Sequence, residues 1–352
     1  MTGSAYDSTA LLTFAHTLLQ AAGLAADRAG TVAEILVEGD LLGHTTHGLA
    51  QLPGYLNEIV NGGMRRDGDP VTITDRGAAV LWDGRRLPGP WLTVQAIDLA
   101  MQRATVHGTA TVVIRRSHHI ACLAAYLRRV TDRGLVIMLM SSDPSVSSVA
   151  PFGGTRALLT PNPIAAGFPT GGEPVLMDIS TSTTTNGLTG RLRAENRLLD
   201  QAWLLDAAGL PTADPAALFT DPPGTIQPLG GLDSGHKGFA LGLLVEALTS
   251  ALGGFGRADP AEGWGASVFV QVIDPGSFGG LEAFVRETGW LAEAARVNPP
   301  GSGQGAVRLP GSRGLQLRQA QSASGVRLYP TIMPALQPWA ERLGCKAPAM
   351  TL

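Results

Sequence analysis

The strongest constraint on the fold is a change of hydrophobic period near residue 70. Over residues 8–64 apolar side chains recur at helical spacing, whereas beyond 70 they alternate or run in short continuous blocks, as strands do. In the first stretch Leu11, Leu12, Ala15, Leu18 and Leu19 follow the capping candidates Ser8 and Thr9, and Gly23 stands where a helix would stop. Val32, Ile35, Leu36 and Leu42 continue the pattern. Pro53 permits a fresh helical start for Tyr55, Leu56, Ile59 and Val60 before the stop NGG at 61–63.

After the switch, VTITD and AAVLWDG predict a hairpin, WLTVQAIDLAMQRATVHG a helix ending at Gly108, and TVVIRR a buried strand. SHHIACLAAYLRRVTDRG then predicts a helix with Leu123, Tyr126, Leu127 and Val130 on one side, released by Gly134 into the strand LVIMLM. Residues 141–235, rich in Gly, Pro, Ser and Thr, predict strands such as PVLMDIS joined by long shaped loops, the kind of segment that carries function. HKGFALGLLVEALTSALGG is a later helix, ASVFVQVID a later strand and LQPWAERLG a closing helix.

With 352 residues the chain can bury a large core and is expected to form two or three subdomains. A formal net charge of -3 gives no basic field for nucleic acid or anionic lipid, so a small-molecule partner is the expectation. Cys122 and Cys345 form no C-x-x-C and fit a reducing compartment. The N-terminus lacks the pattern of a signal peptide and LVIMLM is too short to span a bilayer, so a soluble, cytoplasmic protein is expected.

Several familiar chemistries are missing. No G-x-G-x-x-G follows a strand and opens a helix; GSGQG at 301–305 follows Asn298-Pro299-Pro300 instead. No P-loop or G-x-S-x-G hydrolase motif occurs. GHTTHGLAQLPGY at 43–55 leaves three readings open. His44 and His47 at i, i+3 share a helix face and offer two metal ligands, short of the three a site needs; they can simply shape a helix end; or one is an acid catalyst, since imidazole exchanges protons near neutrality. Asp178, in LMDISTS, would orient that imidazole if the fold brings it close.

Five separated strings, in order, carry a resemblance to a family: DLLGHTTHGLAQLPGYLNEIVNGGM, VVIRRSHHIACLAAY, FGG…TPNPIAAGFPTGGEPVLMDISTS, PLGGLDSGHKGFALGLLVE and NPPGSGQGAVRLPGSRG. Over about residues 8–345 the chain resembles the malate/L-lactate dehydrogenase family of non-Rossmann NAD(P)-dependent oxidoreductases. The resemblance implies a mixed α/β fold: a non-Rossmann NAD(P)-binding domain with a largely antiparallel sheet, and a helical domain built from both chain ends. The implied division is 1–68 with 322–352 (helical), 69–115 (a small α/β region on the substrate side) and 116–321 (NAD(P)-binding). It also implies a homodimer and hydride transfer between NADH or NADPH and C2 of a 2-oxo or 2-hydroxy acid or a cyclic 2-imino acid, without a metal.

By the same resemblance His47 is the proton donor with Thr46 beside it, Asp178 supports the relay, and His119 competes for the acid role. The cofactor contacts are His118, His119, Ile120, Ala121 and Cys122; the segment from Pro174 through Asp178, Ile179 and Ser180; Leu229, Gly230 and Lys237; and Gly311, Ser312 and Arg313. Gln51, Tyr55 and Asn162 are the substrate-binding candidates.

Three positions depart from the family pattern. Thr46 replaces serine, keeping the hydroxyl and adding a methyl group. Gln51 stands where many members carry an arginine for the substrate carboxylate, a charge-assisted contact worth ~1.5–3 kcal/mol. Either Arg115, Arg191 or Lys237 takes its place, or the substrate presents a neutral group such as an amide. Arg313 replaces a common acidic residue and suits a 2′-phosphate, pointing to NADPH. From other classes, a catalytically silent nucleotide- or metabolite-binding homologue and a metal-dependent hydrolase using His44 and His47 complete the expectations.

Overall fold

The computed structural model describes residues 5–260 and 263–351. A short strand β1 (Ala5–Tyr6) leads into α1 (Ser8–Ala21), α2 (Ala26–Leu41) and α3 (Leu52–Asn61). The cap of α1 is Asp7, whose carboxylate accepts from Ala10 N at 2.8 Å, so the capping expectation at Ser8 and Thr9 is corrected by one residue. Leu11, Leu18 and Leu19 are fully buried, as the periodicity requires.

The predicted hairpin is β2 (Val71–Asp75) with β3 (Ala79–Asp83), followed by α4 (Gly89–His107) and β4 (Thr109–Ser117). The next elements are α5 (Ala124–Thr131), β5 (Val136–Ser142), β6 (Ile164–Phe168), β7 (Val175–Ile179) and α6 (Asn186–Ala194). Short strands β8 (Leu204–Leu205), β9 (Pro211–Thr212) and β10 (Thr225–Ile226) precede α7 (Gly231–Glu246) and β11 (Ala266–Ile273). The chain ends with α8 (Leu281–Arg296), α9 (Ser312–Ser324), β12 (Val326–Arg327) and α10 (Ile332–Leu343).

Seven strands form one sheet in the order β2-β3-β4-β11-β5-β6-β7, antiparallel except for β3 and β4, which are parallel across the α4 crossover. Late in sequence, β11 inserts at the centre, where Val268, Val270 and Val272 face one core and Phe269 faces a second core with Val113, Met140 and Val245. Period-2 alternation thus buries both faces, which is why these strands read as continuous apolar runs. Both chain ends meet: β1 pairs with β12, and α10 packs on α1 and α3.

Three further expectations need correction. The helix predicted from Ser117 begins only at Ala124, because Ala121 has φ +61° and the preceding residues form an irregular turn held by Tyr126 Oη donating to Ile120 O. The segment 141–235 contains a helix as well as strands: Thr185 caps α6 by accepting from Leu188 N at 3.2 Å. His44 and His47 lie in a turn after α2 rather than on a helix face. Neither α8 nor α9 was expected, since α8 leaves Trp290 and Leu291 exposed and α9 is polar on most of its surface. Among the described residues no helix is long and apolar enough to cross a membrane.

Candidate active site

The site begins with a buried carboxyl group. Asp40, near the end of α2 and 1% exposed, accepts from Leu49 N at 2.7 Å through Oδ2, and burial pushes its pKa up to about 7. Gly48 fits this arrangement because a Cβ there would stand 2.4 Å from that carboxyl group. His44 N donates to Gly39 O and His47 N to His44 O, closing a turn that presents Thr46 and His47. The start of α6 packs on the same pair, since a Cβ at Gly187 would lie 3.3 Å from Thr46 Cβ.

His47 and His119 face each other with ring centroids 5.9 Å apart and planes at 28°. His47 Nδ1 lies 2.8 Å from Thr46 Oγ1, leaving Nε2 for another partner. His119 Nδ1 accepts from Ala121 N at 3.3 Å and is 2.8 Å from the Tyr55 hydroxyl, which also lies 3.1 Å from His119 O. Because a backbone N–H only donates, Nδ1 of His119 is unprotonated and the neutral ring carries its proton on Nε2.

Burial lowers the pKa of both imidazoles. For His47 the nearby Asp178 opposes the shift, while His44 and Arg191 add to it; His119 is held well below the ordinary 6.5, with His47 and His118 adding to the effect of burial. His118, whose pKa burial and then Arg86 push down to about 4, stacks on Trp264 at 5.4 Å. Its Nε2 is 3.6 Å from Glu58, beyond hydrogen-bond reach for a neutral ring.

These groups border a cavity of about 360 Å³ lined by Thr46, His47, Gln51, His119–Leu123, Asp143, Asn162, Asp178, Ser180, the start of α6 and Trp264. A groove of about 1030 Å³ adjoins it and shares His44 and Asp178; Met177, Ile179, residues 304–311 and Arg313 line its other parts. At the groove Gly311 has φ +87° and a Cβ there would meet Leu176 at 2.7 Å, so glycine alone allows the 310–311 backbone to lie against β7.

Asp178 binds Ala124 N at 2.8 Å and receives a weak contact from Cys122 Sγ at 3.7 Å. It makes no direct hydrogen bond to His47 among the described residues and acts on it through space. His44, Cys122 and Asp178 offer ligand atoms within 4.8 Å of one another, a trio that the spacing of His44 and His47 did not suggest. Burial, then Asp178, holds the Cys122 thiol well above its ordinary pKa, so it stands as a protonated donor to that carboxylate.

Other candidates stand apart from the cavity or are committed elsewhere. Tyr55 is buried behind His119 and positions it. Asn162, fully buried at φ +41°, donates to Gly242 O and Glu246 Oε1 and accepts from Thr160 Oγ1, so its side chain braces the loop. Ser312 Oγ donates to Glu173 at 2.9 Å, whereas Arg313 is exposed with no side-chain partner among the described residues. Leu229 and Gly230 lie in a turn tied to the strand end by Leu229 N donating to Thr181 O, and Lys237 lies in α7; all three are outside both cavities. His118 lies behind Trp264. Sequence reasoning missed Asp40, Asp143, Trp264 and the start of α6. Only the last left a trace, in the capping threonine of TTTNGL.

A mixed, non-Rossmann sheet with a half-buried histidine pair beside a groove is the scaffold that comparison with known proteins identifies. The sequence pattern of the malate/L-lactate dehydrogenase family matches residues 6–337, and the chain belongs to that family. It is 30% identical to L-lactate dehydrogenase of Cupriavidus necator, over 95% of this chain and 96% of that one. It is also 30% identical to the Delta(1)-pyrroline-2-carboxylate/Delta(1)-piperideine-2-carboxylate reductase of Pseudomonas syringae, over 90% of each chain. Malate dehydrogenase from Entamoeba histolytica shares the fold with a TM-score of 0.93 at 22% identity, covering 99% of this chain and 100% of that one. The structure of delta1-piperideine-2-carboxylate reductase from Pseudomonas syringae superposes with a TM-score of 0.83 at 29% identity, covering 96% and 99%. The chain is therefore an oxidoreductase of this family, whose activities span hydroxy- and oxo-acid dehydrogenation and imine reduction.

Proposed function

We propose that the protein is an NAD(P)H-dependent reductase or dehydrogenase that transfers hydride between the nicotinamide and an unsaturated C=O or C=N carbon held in the 360 Å³ cavity. The observation that carries this reading is the meeting of a histidine pair with a groove of about 1030 Å³ at His44 and Asp178. A nicotinamide nucleotide supplies the hydride when bound. The close-lying Gly311 backbone, the N-terminus of α9 and the exposed Arg313 would hold its phosphates, and Arg313 favours NADPH.

In this account His47 gives the proton that the substrate heteroatom needs as hydride arrives. Thr46 fixes its ring through Nδ1, and Asp178 favours its charged form through space. His119, held by Tyr55, stands across the cavity as a neutral donor through Nε2. The three-part division at residues 68, 115 and 321 separates a helical part, carrying His47, from the strands that carry Asp178. We also assign a cytoplasmic location and a homodimer, with the exposed Phe278, Trp290, Leu291 and Val297 around α8 as the apolar area for association. A screen of 2-oxo acids, their amides and cyclic imines, followed by NADH and NADPH absorbance, tests the reading; no turnover with either nucleotide would refute it.

A further inference from the structure

We infer that the preferred substrate is a cyclic imine without a carboxylate on the reacting carbon, held as its iminium cation in a cavity walled by the carboxylates of Asp143 and Asp178. This deepens, and rests on, the hydride-transfer reading above. The first observation is one of charge: among the described residues no lysine or arginine lines this cavity, whereas two aspartates do. The candidate cations are committed elsewhere. Arg191 donates to Thr45 Oγ1 and O at 2.8 and 2.7 Å and stacks on Tyr329, Arg115 is paired with Asp83 at 3.2 Å, and Lys237 lies outside. A substrate carboxylate entering here would lose its water and find no lysine or arginine among the lining residues to pair with.

The second observation is the direction of the hydrogen bonds. Gln51 Nε2 donates to Thr46 O at 2.7 Å, and because that partner is a carbonyl the amide cannot be turned round. Gln51 therefore offers the cavity its Oε1, an acceptor, where a carboxylate would need a donor. Asp143 Oδ1 accepts from Ser145, but its Oδ2 is buried without a partner. A buried carboxylate oxygen and an amide oxygen, both from residues that line the cavity, suit a ligand that donates hydrogen bonds and carries positive charge.

The chemistry fits the same ligand. An imine nitrogen is far more basic than a ketone oxygen, and the lowered pKa makes the His47 imidazolium a stronger acid toward it. The proton passes from His47 to nitrogen, giving an iminium. Hydride from a dihydronicotinamide then forms the C–H bond while the C=N π pair becomes the nitrogen lone pair, leaving a neutral secondary amine and the oxidised nicotinamide. Both carboxylates stabilise the cationic intermediate.

Matched pairs that differ only in the carboxylate provide the test with the full-length protein. Expected is a kcat/KM for 1-piperideine at least about tenfold above that for piperideine-2-carboxylate, with Gln51→Arg shifting the ratio at least about tenfold toward the carboxylated imine, since tenfold corresponds to half or more of one charge-assisted bond. Calorimetry without nucleotide should show piperidine binding more tightly than piperidine-2-carboxylate, with the difference reduced in Asp143→Asn. Preference for the carboxylated member in turnover or binding would overturn the inference while leaving hydride transfer intact. Turnover of neither imine nor any 2-oxo acid would overturn both.

Discussion

Gly48→Ala is the substitution whose consequence follows most closely from the geometry. The new Cβ would stand 2.4 Å from Asp40 Oδ2 and 2.6 Å from Oδ1, roughly 1 Å inside normal contact. Asp40 is 1% exposed, so it can yield only by releasing Leu49 N, which leaves a buried donor unsatisfied at a cost of about 1–3 kcal/mol; otherwise the 44–49 turn shifts at a similar overpacking cost. Either relaxation moves His47, one residue away, and a displacement of about 1 Å at a reacting group costs on the order of 10²-fold in rate. The assay is urea unfolding together with kcat for Gly48→Ala, Asp40→Ala and the double variant. Expected is a lowered midpoint and kcat for Gly48→Ala, with the double variant less damaged than the sum of the singles because the collision is gone. A Gly48→Ala protein with wild-type midpoint and kcat, or strictly additive effects, would refute the reasoning.

Removing the hydroxyl in Tyr55→Phe takes one hydrogen bond from His119, so stability should fall by about 0.5–1.5 kcal/mol and kcat should drop without loss of nucleotide binding, read by denaturation and fluorescence titration. The folded pKa of His47 is depressed below 6.5, so its charged, proton-giving form is lost as pH rises through that lowered value; kcat/KM for reducing a 2-oxo acid should decline from a break below 6.5, measurable as a pH profile of the free enzyme. The same sign makes protonation of His47 oppose folding at acid pH. Arg313→Ala should raise KM for NADPH by more than for NADH, a difference that steady-state kinetics with both nucleotides resolves.

Much of the scaffold was legible in the sequence because periodicity reports burial directly. Val268, Val270 and Val272, like the α1 leucines, announced their element and its inward face. The turn through Ala121 was not legible, since nothing in SHHIACLAAY shows that one alanine adopts φ +61° so that Tyr126 and the His119 ring can close it. α8 does carry an apolar stripe, Leu281, Phe284, Val285 and Ala292 at helical spacing, but only Ala292 is buried, so its packing was not legible.

At the site, the family strings marked His47, His119 and Asp178, and the fold brings all three to one cavity. The charge balance of that cavity was not readable. It depends on where Arg191 and Arg115 spend their guanidinium groups and on Asp143, whose place beside the histidines follows only from β5 meeting β6 and β11. Gln51 was visible as a departure, but the direction of its amide emerges only from its bond to Thr46 O.

The central claim, that His47 is the proton donor in a hydride transfer, is tested most directly by His47→Ala measured in two ways on one preparation. With a 2-oxo acid, whose oxygen arrives without a proton, at a pH below the break of the wild-type profile, where His47 carries its proton, kcat should fall by about 10²-fold or more while the Kd for NADPH stays at its wild-type value. An unchanged kcat would contradict the account and move the proton to His119.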